Sequence, residues 1–88
     1  MKSPDIEKAV LMYYEKTEIG NAEIMELFGV SRVTARKLKN EVLNEMAKNN
    51  IRCWLPKHVN TAVAFKTWGI DIDDFEKRLK KLRTLKGA

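Results

Sequence analysis

Residues 21–40 read Asn21-Ala22-Glu23-Ile24-Met25-Glu26-Leu27-Phe28-Gly29-Val30-Ser31-Arg32-Val33-Thr34-Ala35-Arg36-Lys37-Leu38-Lys39-Asn40, and this stretch decides the fold. Two short apolar-periodic runs flank a Gly-Val-Ser corner. Ile24, Leu27 and Phe28 stand at helical spacing before the corner, and Ala35, Leu38 and Val42 after it. Asn21 is expected to cap the first run. Ser31 should cap the second, its side-chain oxygen accepting from the N–H two or three residues on. Gly29 supplies the left-handed conformation with which a helix ends and turns sharply. Two helices joined by a short glycine-containing turn make a helix-turn-helix. The face left over on its second helix is Arg32, Val33, Arg36, Lys37 and Asn40. That face is strongly basic.

A second helix placed in this way can enter the DNA major groove. Arg32 or Arg36 suits a bidentate contact with guanine, and Val33 suits a thymine methyl. Ser31 and Thr34 suit hydrogen bonds to the phosphate backbone, which position the helix without specifying sequence. Lys37 and Asn40 complete the candidate DNA-binding set. The competing reading is a solvated helix face. The coincidence of turn and charge weighs against it.

The Gly-Val-Ser corner, followed by Thr34 and Leu38, resembles the helix-turn-helix of bacterial and phage DNA-binding proteins. Within that group it is most similar to the homeodomain-like type of resolvases and small regulators. The resemblance covers residues 21–40. Met25 stands where the family usually has a small residue, and Ala35 where it usually has Val or Ile. The two positions touch across the motif, so the exchange conserves volume, the kind of change a core tolerates. The resemblance implies an all-α protein with an N-terminal three-helix homeodomain-like unit that binds double-stranded DNA. Its leading role would be a small transcriptional regulator of phage or mobile-element type. A DNA-architectural or packaging factor, such as an excision factor or a terminase small subunit, is the alternative. A protein-interaction module without DNA binding is a third reading.

Composition narrows the field. Eighty-eight residues suggest one domain, able to bury roughly 60–65% of its unfolded surface. No run is long and apolar enough to span a membrane, and no signal-peptide segment is seen, so a cytoplasmic protein is expected. The single Cys53 has no disulfide or metal-ligand partners in sequence, and His58 stands alone. Asp71, Asp73, Asp74 and Glu76 lack the spacing and glycine of a calcium loop, so capping and helix-dipole effects account for them. No nucleophile–base arrangement or phosphate cradle is visible. Neither a cofactor nor a metal is expected, and the chain does not read as an enzyme.

The net charge of +5 is unevenly spread. Residues 1–31 hold three Lys and six acids, for −3; residues 32–88 hold fourteen Lys or Arg and six acids, for +8. Basic character begins at the candidate reading helix. It supports a polyanionic partner and says nothing about fold.

The rest of the chain is read outward from the motif, as one helical domain of 1–88. A unit of 1–49 contains the helix-turn-helix, a connector covers 50–60, and a C-terminal helix pair covers 61–88. Ser3-Pro4-Asp5 is a helix-start signal, for a first helix running to about Lys16 with Ile6, Val10 and Tyr13 or Tyr14 on its apolar side. The third helix meets no breaker until Asn49-Asn50, which makes it some seventeen residues long. In the connector, Leu55 precedes Pro56 and is pushed from helical conformation. Trp54 and Leu55 are expected to tuck against the core. Thr61-Ala62 through Trp68-Gly69-Ile70-Asp71 echoes Asn21-Ala22 through Phe28-Gly29-Val30-Ser31, predicting a second short helix, corner and long helix. Ile72, Phe75, Leu79 and Leu82 form a stripe on that long helix, either core or a seam between two subunits. Its basic run, Lys77 to Lys86, reads first as the wet side of the helix and second as further phosphate contacts. A homodimer or other oligomer would suit a reader of two half-sites.

Overall fold

A computed structural model describes residues 4–87. Among them the order is α1 (Ile6–Glu15), β1 (Glu18–Ile19), α2 (Asn21–Phe28), α3 (Arg32–Lys48), β2 (Val59–Asn60), α4 (Thr61–Thr67) and α5 (Ile72–Leu85). The fold is all-α apart from one antiparallel ribbon, β1 on β2, in which Glu18 faces Asn60 and Ile19 faces Val59.

The central corner forms as its residues dictate. Gly29 ends α2 at φ 63°, ψ 41°, and the Val30 N–H returns to the Met25 carbonyl at 3.2 Å. Ser31 caps α3, its Oγ accepting from the Thr34 N–H at 3.4 Å. Helix α3 then runs seventeen residues and ends at Asn49, with Asn50 at φ 55°. Its inner side is Ala35, Leu38, Val42 and Met46, all buried. Lys39 is buried as well, so one cation of the basic run lies off the exposed face. Ala35, Leu38, Val42 and Met46 join Ile19, Ile24, Leu27, Phe28, Val59, Ala64 and Phe65 in a single core.

Several helix starts differ from expectation. The helix α2 is capped at Gly20, and Asn21 is its first residue rather than its cap. The extended β1 delivers the chain one residue earlier, so the Ile24 N–H closes the first turn on the Gly20 carbonyl at 3.1 Å. Glu23 Oε1 accepts from the Gly20 N–H at 3.0 Å. A side chain at Gly20 would place its Cβ 3.2 Å from the His58 ring, so the close packing of His58 accounts for glycine there. Asn60 caps α4, one residue before the stretch that echoes Asn21-Ala22, and accepts from the Val63 N–H at 3.0 Å. The helix α1 starts at Ile6 with Asp5 as its cap, and Pro4 precedes the helix; Ser3 lies outside the described residues. Its buried residues are Ala9 and Met12, with Ile6 and Val10 only half-buried. Of the two tyrosines, Tyr13 packs against Phe65, ring centroids 5.4 Å apart. Tyr14 is exposed, and its hydroxyl donates to Glu76 on α5.

The connector also corrects an expectation. Trp54 is 88% exposed and Leu55 54%, so neither tucks against the core. The cause is Glu18, whose carboxylate accepts from the Trp54 N–H at 2.6 Å and the Leu55 N–H at 3.0 Å. With the backbone turned towards β1, the inward places go to Ile51 and Cys53, which pack on the core. These bonds to the ionised form hold the Glu18 carboxyl below its ordinary range, the Trp54 N–H contributing most.

The two corners are related by an offset of forty residues. Ile19 pairs with Val59, its equivalent at that offset. Gly69 repeats Gly29 at φ 75°, and the Ile70 N–H bonds the Phe65 carbonyl at 2.8 Å as Val30 bonds Met25. Asp71 caps α5 as Ser31 caps α3. Phe28 meets Trp68, again its equivalent, edge to face. Equivalent residues that touch each other define a local two-fold relation between the halves. The relation stops at the long helices. Helix α3 packs on α4, whereas α5 lies along α1. In consequence the stripe of α5 is thinly covered: Ile72 and Phe75 reach the core, Leu79 is half-buried, and Leu82 is 39% exposed. None of the stripe is buried.

Candidate nucleic-acid interface

The sequence-expected set lies together on one surface. Arg32, Val33, Arg36, Lys37 and Asn40 are all exposed, on the side of α3 opposite Ala35, Leu38 and Val42. At about 1.5 Å rise per residue, Arg32 to Asn40 spans about 12 Å, comparable with a major-groove width. Val33 is 66% exposed although β-branched and apolar. Ser31 is exposed and Thr34 half-buried. Their hydroxyls lie 3.4 Å apart, and Ser31 Oγ is engaged as the helix cap.

Rigidity of this surface comes from beneath. The four buried apolar residues of α3 fix its rotation, and the Trp68 indole N–H donates to the Leu38 carbonyl at 3.2 Å, tying α3 to α4. The Gly29 corner fixes where α3 begins. A reading face on a packed helix is better placed than one on a loop.

Electrostatics then separate the two similar corners. Helix α3 has no acidic residue in its first turn, so the positive end of its dipole adds to Arg32, Arg36 and Lys37. Among the described residues, none of these three cations has a carboxylate within 4.0 Å. In α5 the first turn carries Asp73 and Asp74, and Glu76 stands at the position equivalent to Arg36. One corner presents positive charge and the other negative. Only the first suits an anion.

Other chemistry finds little support among the described residues. They contain no group of three His, Cys, Asp or Glu that could hold a metal ion. The Cys53 thiol is pushed up to about 11, first by burial and then by the Glu18 carboxylate, the opposite of what a thiolate nucleophile needs. Among the described residues no helix is long and apolar enough to cross a membrane.

Sequence reasoning missed three features of the fold: the β1–β2 ribbon, the outward turn of Trp54, and the seating of α5 on α1. A two-residue strand carries too little pattern to be seen. The other two depend on contacts between residues far apart in sequence. Comparison with family models, with curated proteins and with solved structures finds no match for this chain.

Proposed function

We propose that the chain binds double-stranded DNA through α3 of a homeodomain-like helix-turn-helix, with Arg32, Arg36 and Lys37 as its principal cationic contacts. The carrying observation is the exposed basic face on a helix whose opposite face is buried, directly after a left-handed glycine corner. Ser31 and Thr34 would meet phosphates, while Val33 and Asn40 would meet base edges. The face covers only four or five base pairs by the length of α3 within a groove, about one recognition helix. Such a footprint is short for a genome, so a dimer, tandem binding or a partner belongs to the reading. A small cytoplasmic transcriptional regulator of phage or mobile-element type fits it best, with no enzymatic activity and no cofactor.

A second reading, an architectural or packaging factor, draws on one observation. Trp54, Leu55 and Leu85 are exposed apolar side chains, which an assembly on DNA could cover. Fluorescence anisotropy of a labelled random-sequence duplex, repeated at several salt concentrations, tests DNA binding itself. Micromolar binding that falls steeply with log salt is expected. Absence of binding at low salt sinks both DNA readings, and the basic face then belongs to a protein partner. DNA bending or ring-shaped oligomers would select the architectural role over the regulator.

A further inference from the structure

Helix α5 carries Lys77, Arg78, Lys80, Lys81 and Arg83, and Lys86 follows as its C-cap. Among the described residues only Arg78 has a carboxylate within 4.0 Å, Asp74 at 2.7 Å. From Lys80 to Gly87 every residue is exposed. A solvated helix face would account for this charge if it pointed away from α3. The packing sets the C-terminal end of this helix against the start of α1.

The helices α1 and α5 run antiparallel. Tyr14, near the end of α1, bonds Glu76 near the start of α5. At the other end, Asp5 and Ile6 share a surface groove with Leu82, Arg83 and Lys86. The Asp5 N–H in turn donates to the Leu27 carbonyl at 3.2 Å, at the end of α2 and two residues before Gly29. Arg83 and Lys86 therefore sit at the end of the molecule where α3 begins. Lys80 is three residues before Arg83, on the adjoining flank of the same helix.

We infer that Lys80, Arg83 and Lys86 form a second phosphate-contacting element that grips the backbone of the duplex entered by α3. The inference rests on the DNA-binding reading of α3 and extends its contact surface. Charge complementarity selects the occupant. The exposed Leu82 and Leu85 offer apolar surface to a second copy of the chain, but cations flank both leucines, and two such helices would repel. Asp5 and Glu7 line the same groove. Asp5 is engaged as the cap of α1, accepting from the Lys8 N–H at 3.0 Å, and neither acid pairs with Arg83 or Lys86 among the described residues. The cations remain available to an outside anion.

The test is the salt dependence of duplex binding by the full chain and two charge-matched variants. One variant combines Lys80→Gln, Arg83→Gln and Lys86→Gln. The other combines Lys16→Gln, Lys48→Gln and Lys66→Gln, at the end of α1, on α3 and on α4, away from the corner. Glutamine keeps helix propensity at these exposed sites, and matching circular dichroism would establish that both variants fold. Loss of three phosphate contacts should lower the slope of log affinity against log salt by about 2.7, so that the wild-type chain loses about 40-fold more affinity between 50 and 200 mM salt. The control triple should keep the wild-type slope. Equal changes in both triples, or an unchanged slope in the α5 triple, overturn the inference. So does a change confined to sedimentation, which would assign α5 to a second copy. If the wild-type chain fails to bind DNA at all, the reading of α3 falls together with this one. If Arg36→Ala alters binding while the α5 triple does not, only the inference falls.

Discussion

Phe28 and Trp68 meet edge to face, ring centroids 5.2 Å apart, across the local two-fold that relates the two corners. Each is the last aromatic before a left-handed glycine, and their contact holds the two corners together. Phe28 is 4% exposed, so Phe28→Ala should cost about 3–5 kcal/mol, a large share of the stability of a small domain. Trp68→Phe keeps a ring but removes the bond to the Leu38 carbonyl, and should cost about 1 kcal/mol beyond any packing loss. Urea unfolding followed by circular dichroism measures both. Similar small losses in the two variants would mean that the aromatic pair is not what joins the halves.

Gly69 isolates the backbone requirement of a corner. Its φ is 75°, and a Cβ added there would meet nothing within 4 Å. Gly69→Ala should therefore lower stability by about 1–2 kcal/mol through left-handed strain alone, and Gly69→Asn by less. Thermal melts of the three proteins give the order. An alanine variant as stable as wild type would show that the corner can relax to negative φ.

Glu18 should govern the order of the connector. Its folded pKa lies below the ordinary value of 4.5, so its stabilising contribution is present above that value and is lost as pH falls through the folded pKa. Amide hydrogen exchange should report this at Trp54 and Leu55, whose N–H groups Glu18 accepts. Glu18→Ala should remove their protection at neutral pH, and acidification through its lowered folded pKa should do so in the wild-type chain. Unchanged protection in the alanine variant would relocate the restraint to Ile51 and Cys53.

Arg36→Ala tests sequence readout. Loss of a bidentate guanine contact should weaken specific binding by about 1–3 kcal/mol and relax base preference at one position. Selection of sites from a random pool, with wild-type and variant compared, supplies the measurement. Uniform weakening without a change in preference would make Arg36 a phosphate contact instead.

The candidate site was largely legible before the fold was known, because its signals are local. Gly29 and Ser31 act through bonds spanning three to five residues, and the apolar spacing of Ala35, Leu38 and Val42 implies which face of α3 remains outside. The long third helix, its end at Asn49 and Asn50, and the echo at Gly69 share this local character. Trp54 escapes such local reading for the opposite reason. Its composition favours burial, but a carboxylate thirty-six residues earlier holds its backbone and turns the ring outward. Asn21 was misplaced as a cap because the strand before it, visible only through its pairing with Val59–Asn60, begins the helix one residue sooner.

By itself, then, the amino-acid sequence determined five helices, two glycine corners and a basic face on the third helix. Each is a matter of short-range bonding and periodicity. Tertiary structure alone decided that Ile19 pairs with Val59, that Phe28 meets Trp68, and that α5 turns away from the local symmetry to lie on α1. Those choices arise from side-chain fit between distant segments, where many partners of similar hydrophobicity compete and only the assembled core selects among them. The placement of Arg83 and Lys86 beside the start of α1 follows from that selection, as no periodicity within α5 could specify its neighbour.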